Sequence, residues 1–143
     1  SITIPNGVKS IGDGAFYSCV KLKSITIPNS VTNIGDGAFD DCSGLISINV
    51  SKANKAYTSE NGVLFNKFKT ELVRYPSSKT GSSYIIPDSV TSIGKRAFWN
   101  CGGLKSITVP DSVVRIGDEA LVDTAWYDNQ PGGVVYAGKG VRV

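Results

Sequence analysis

At 143 residues, 41% hydrophobic and 19% charged, the chain suits one domain with a continuous apolar core and excludes wholesale disorder. A formal net charge of +3 is too small for the basic stripe of a nucleic-acid binder, and the apolar runs are too short to span a membrane. Histidine is absent, which removes His-based catalytic and metal sites, and three cysteines without a C-x-x-C pair make neither a disulfide scaffold nor a zinc site. The chain lacks methionine and opens on the alternation Ser1-Ile2-Thr3-Ile4, so it reads as a piece of a longer protein without initiator or signal peptide.

A repeat of 23 residues organises everything that follows. Residues 1–23 (SITIPNGVKSIGDGAFYSCVKLK) and 24–46 (SITIPNSVTNIGDGAFDDCSGLI) are identical at 15 of 23 positions. A third unit opens at Ser47 with SINVS and leaves the pattern, which returns at Ser83 and again at Ser106. The units are therefore 1–23, 24–46, 47–82, 83–105 and 106–128, the third carrying 13 extra residues, with a tail over 129–143. All form one domain.

Within a unit, Ser-Ile-Thr-Ile has the two-residue period of a short strand with one buried face. Pro5, Pro28, Pro87 and Pro110 close it where a missing N–H costs no ladder bond. Val8 and Ile11 with their counterparts turn the chain again, and Gly12, Gly35, Gly94 and Gly117 are expected to supply a bend. Asp13, Asp36 and Asp118 stand where a helix N-cap belongs. Phe16, Cys19 and Leu22, spaced by three, read as one face of a tight helical or 3₁₀ turn. One such unit is too small to fold alone. Stacked units make a repeat solenoid of short parallel strands, with one curved sheet and one interior holding Ile4, Ile27 and Val109.

Several constellations invite a chemical reading. Cys19, Cys42 and Cys101 hold one place in their units, where in-register side chains suit buried free thiols better than an S–S bond. Gly12-Asp-Gly14 and Gly35-Asp-Gly37 lack the third glycine of a phosphate-cradling loop. Asp36, Asp40 and Asp41 do not follow calcium-loop spacing and are expected as solvated charges. With no histidine and no G-x-S-x-G turn, nucleophilic catalysis has neither base nor mount. No enzyme activity, cofactor or metal is expected.

Partner contact is the remaining reading. Outward wall positions Thr3, Thr26, Asn49, Ile85 and Thr108, flanked by Lys23 and Lys105, form the kind of face that solenoids present to ligands. These residues are small and short of aromatic or arginine anchors. The third unit supplies such anchors, and residues 51–83 carry six basic against two acidic side chains. Val63-Leu-Phe65 and Leu72-Val-Arg74 can pair as a hairpin, with Lys67, Phe68 and Lys69 exposed at its tip. In the tail, Gly133-Val-Val-Tyr136 echoes Gly62-Val-Leu-Phe65 and reads as a hairpin capping the last coil over Trp126 and Tyr127. The unpaired edge at Ser1–Pro5 is compatible with a monomer or weak end-to-end association.

The frame Leu22-Lys-Ser-Ile25-Thr-Ile27-Pro28, seen again from Leu104 to Pro110, resembles a leucine-rich repeat. The stretch V-x-x-I-G-x-x-A-F-x-x-C, as in Val31 to Cys42, is similar to the BspA-type branch, and four of five units match well. Asn61 to Pro76 is similar to an insertion common in that family, where an Asp often occupies the place of Phe68. The resemblance implies a leucine-rich-repeat solenoid from a secreted or cell-surface bacterial protein, with no enzymatic activity in the repeats and no fixed binding residues. The expected function is non-covalent recognition of a protein, such as a host matrix or cell-surface protein, in adhesion. The alternative is a passive spacer that holds another domain away from the cell envelope. Neither nucleic-acid binding nor membrane insertion is expected.

Overall fold

The computed structural model describes residues 1–124, so the expected cap over 129–143, with Trp126 and Tyr127, lies outside the described residues. The chain winds through five coils. Coil 1 holds β1 (Ile2–Thr3) and β2 (Ser10–Ile11), and coil 2 holds β3 (Ser24–Ile27) and β4 (Asn33–Ile34). Coil 3 holds β5 (Ser47–Val50), β6 (Tyr57–Glu60), β7 (Val63–Asn66) and β8 (Glu71–Arg74). Coil 4 holds β9 (Ser83–Ile85) and β10 (Ser92–Ile93), and coil 5 holds β11 (Ser106–Thr108) and β12 (Arg115–Ile116).

The first strand of each coil builds one wall. Parallel pairing places Thr3 beside Thr26 and Thr26 beside Asn49, a register set by the 23-residue period. Ile25 and Ile27 are fully buried while Thr26 between them is exposed, the pleat of a half-buried strand. Among the described residues coil 1 is packed by coil 2 alone, and Phe16 and Cys19 are half-buried where Phe39 and Cys42 are buried.

The expected single sheet is divided. β1, β3 and β5 form three strands of the wall, β9 and β11 pair separately, and β5 is not bonded to β9. The second wall is divided too: β2 pairs with β4, whereas β8, β10 and β12 join the antiparallel strands β7 and β6. Insertion of an antiparallel hairpin into a parallel array uses up the strand edges that coil 3 would offer to coil 2.

The segments expected as helical or 3₁₀ turns are chains of separate turns, and no helix occurs among the described residues. In coil 1 the N–H groups of Ala15, Tyr17 and Cys19 bond three residues back, while those of Gly14, Phe16 and Ser18 cross to carbonyls of Asp36, Ala38 and Asp40 in coil 2. Positive φ explains the alternation: Gly14 is at 61° and Ser18 at 58°, and their counterparts Arg96 and Asn100 are at 56° and 60°. A left-handed residue every fourth position interrupts any helix before it propagates. Asp13 is consequently no N-cap; its Oδ1 accepts the Asp36 N–H from the next coil at 3.0 Å.

Two of the glycines expected to bend the chain, Gly35 and Gly117, do something else. A Cβ on Gly117 would lie 2.5 Å from the Lys95 backbone nitrogen. One on Gly35 would lie 2.5 Å from the Asp13 nitrogen and 2.8 Å from the Gly12 carbonyl carbon. They are glycine because neighbouring coils touch there, backbone to backbone.

The interior is also not one body. Ile4, Ile11, Ile25, Ile27, Phe39, Leu45, Ile48 and Leu64 form one cluster. Val63, Phe65, Leu72, Tyr75, Ile93, Phe98 and Ile107 belong to the other, with Val109 packed against it. Thus Ile4 and Ile27 sit apart from Val109, contrary to the single shared core. The divider is β7, whose successive residues Val63, Leu64 and Phe65 are all fully buried and serve the two clusters alternately. The first strand of the expected hairpin insertion is thus a partition through the solenoid.

Candidate functional site

Coil 3 rejoins the repeat at β8. Leu72 aligns with Ile93, and the Tyr75 N–H donates to the Ala97 carbonyl as Phe98 donates to Ala120. Cys101 Sγ approaches the Tyr75 carbonyl as Cys42 Sγ approaches that of Phe16. Tyr75 also stacks on Phe98 with centroids 5.3 Å apart, matching Phe16 on Phe39 at 5.7 Å. Tyr75 is therefore the third unit's Phe, and coil 3 is two residues shorter between its strand and its aromatic. This places Arg74 where the other units have Ala15, Ala38, Ala97 and Ala120.

The shortening opens a cleft of about 400 Å³ between coil 2 and coil 4, lined by the Thr32–Asp40 turn, by Gly94–Arg96, and by Tyr57, Glu71, Val73 and Arg74 from the insertion. Arg74 is buried at its edge. Its Nη1 donates to the Arg96 carbonyl at 2.6 Å and its Nη2 to the Trp99 carbonyl at 2.9 Å. Asp40, expected as a solvated charge, is buried as well: Arg96 bonds it at 3.0 Å and Arg74 lies 3.7 Å away. Arg96 continues to Glu119 at 3.2 Å and stacks over Trp99. Buried charges persist only when paired in this way. Asp36 is exposed and Asp41 half-buried, so the three aspartates do not act together.

Wall residues proposed from sequence are exposed but not assembled in one row. Thr3, Thr26 and Asn49 form a ladder, Ile85 pairs with Thr108 in the separate two-stranded sheet, and Lys23 and Lys105 flank them. Ile85 is 73% exposed.

At the hairpin tip Phe68 is 83% exposed. Lys67 and Lys69 beside it are half-buried, contrary to the expectation of free exposure. Lys69 pairs with Glu60 and lies over the Phe65 ring, and Lys67 Nζ donates to the Lys52 carbonyl. Asn66 braces the turn, its Oδ1 accepting N–H bonds from Thr70 and Glu71 at 2.8 and 2.9 Å. Phe68 is thus presented on a fixed platform.

The three cysteines are free thiols, Cys42 and Cys101 buried and Cys19 half-buried. Burial pushes the Cys101 thiol up to about 12, against a smaller opposing pull from Arg74. Iodoacetamide at pH 8 should therefore modify native Cys19 at least about tenfold faster than Cys101; equal rates in a mass-spectrometric time course would contradict this packing.

In-register coils of 23 residues with parallel strands define a leucine-rich-repeat solenoid. Residues 75–127 match the BspA type Leucine rich repeat region (6 copies). Over that stretch the chain is built of BspA-type leucine-rich repeats. It is similar to the structure of a leucine-rich repeat protein from Eubacterium ventriosum, at 40% identity and a TM-score of 0.80 over 85% of this chain and 32% of that one. The pneumococcal vaccine antigen PcpA matches at 28% identity and a TM-score of 0.72, over 85% of this chain and 36% of that one. A leucine rich cell surface protein from Faecalibacterium prausnitzii matches at 34% identity and 0.66, over 80% and 36%. The chain thus spans about a third of the length of these proteins. Comparison with curated proteins found no match.

Proposed function

We propose that this chain is a non-catalytic protein-recognition module of a bacterial cell-surface protein, engaging a host matrix or cell-surface protein in adhesion. The observation that carries the reading is Phe68: a large aromatic, 83% exposed, held out on a braced turn. A rigid aromatic loses little conformational freedom on binding, which is why such anchors dominate recognition energy. The basic excess of the insertion adds steering toward an acidic partner. The wall from Thr3 through Asn49 and from Ile85 to Thr108, with Lys23 and Lys105, offers a second contact face, and Lys67 and Lys69 flank Phe68. Similarity to a cell surface protein and to a vaccine antigen supports the location.

The test is a surface-plasmon screen against purified extracellular-matrix and cell-surface proteins. Saturable binding is expected, weakened at least about tenfold by Phe68→Ser, with no change in thermal stability. Background signal for every protein would overturn the reading in favour of a passive spacer, to which the small wall residues are equally suited.

A further inference from the structure

We infer that the cleft between coils 2 and 4 is a binding site for a short extended peptide carrying a basic side chain. On the second wall, two carbonyls of coils 1, 3 and 4 accept N–H groups from the coil that follows. Lys9 and Ile11 accept from Thr32 and Gly35, Thr70 and Leu72 from Thr91 and Gly94, and Thr91 and Ile93 from Val114 and Gly117. The corresponding carbonyls of coil 2 belong to Thr32 and Ile34. β4 pairs with β2 alone, because β7 stands beside β8, and neither carbonyl accepts a bond among the described residues.

Both residues line the cleft, together with Arg74, whose buried Nε–H has no acceptor among the described residues. Two acceptors and a donor in one cleft complement the N–H and C=O groups of an extended backbone, the mode of strand addition. A volume of about 400 Å³ lies within the range of small-ligand sites, so the segment is a few residues long. Phe68 is not part of this site, and the inference stands apart from the reading of the hairpin tip.

Charge selects the side chain. Of the six charged residues lining the cleft, Asp40, Arg74 and Arg96 are tied into one network with Glu119. Asp36 and Glu71 have no ion-pair partner among the described residues, and Lys95 on the opposite rim is the one remaining cation. Two unpaired carboxylates against one lysine favour a ligand lysine or arginine.

The test is an NMR titration of the ¹⁵N-labelled chain with N-acetyl-Ala-Lys-Ala-amide. Saturable shifts are expected at the amides of residues 32–40 and 94–96. Backbone N-methylation of the peptide should weaken binding about tenfold, and lysine-to-glutamate exchange in the peptide should do so as well. The double variant D36N/E71Q should erase the preference for lysine; should it fail to fold, D36N alone, at an exposed position, should reduce that preference. Shifts confined to other regions, no saturation, or indifference to N-methylation would overturn the inference.

Discussion

Gly117→Ala is expected to destabilise the protein by on the order of 3 kcal/mol, while Gly12→Ala leaves stability within about 0.5 kcal/mol. The two glycines hold the same place in their units. Gly12 belongs to the first coil, and a Cβ there meets nothing within 4 Å. At Gly117 it would lie 2.5 Å from the Lys95 nitrogen and 2.8 Å from the Gly94 carbonyl carbon, both backbone atoms that cannot step aside without separating the coils. Gly94 is intermediate, its Cβ meeting the flexible Glu71 carboxylate at 3.0 Å and the Leu72 carbonyl at 3.2 Å. Gly35 should behave like Gly117. Thermal denaturation reads the series directly, with melting falling by roughly 10 °C for Gly117→Ala. Equal effects at all four positions would mean that bending, not coil contact, selects glycine.

Arg74→Ala should cost about 3 kcal/mol, although alanine is the residue that every other coil carries at this place. The change strips two donors from the carbonyls of Arg96 and Trp99 and removes one of the two cations facing buried Asp40. It also leaves a hollow, because coil 3 lacks the two residues that fill this volume in coils 2 and 4. Arg74→Lys should recover only part of the loss, since one ammonium cannot reproduce the guanidinium fork. Urea denaturation of the single variants and of Arg74→Ala with Asp40→Ala should show a coupling above about 1 kcal/mol. A neutral Arg74→Ala would contradict the assignment of Arg74 as the filler of the shortened coil.

The regular coils were legible because their chemistry repeats. Ile25 and Ile27 alternate with Thr26, and a period shared by four units sets the register of Thr3, Thr26 and Asn49 without ambiguity. Hairpin pairing of β7 with β8 was also readable from two apolar runs around a polar tip. What misled was local pattern taken without its neighbours. A spacing of three at Phe16, Cys19 and Leu22 suits a 3₁₀ turn in isolation, but half of the N–H groups are claimed by the next coil. Strand β6 was missed although Asn61-Gly62, with φ of 52° and 81°, is a strong turn signal.

The cleft was not read from sequence because it arises from a missing pair of residues, not from a motif. Its trace was present: aligning Tyr75 with Phe98 leaves Leu72 three residues ahead where Ile93 is five ahead, and puts an arginine in an alanine column. Asp40 looked like a solvated charge because its two cations, Arg74 and Arg96, lie 34 and 56 residues away in the chain.

The central claim is that β7 runs between the two halves of the interior, packed into both, instead of decorating its surface. Native-state hydrogen exchange at the amides of Leu64 and Phe65 tests it most directly. Both should exchange only through global unfolding, with the same opening free energy as the amides of Ile25 in one half and Ile107 in the other. Exchange of the β7 amides through a separate, low-energy opening, while Ile25 and Ile107 stay protected, would contradict it.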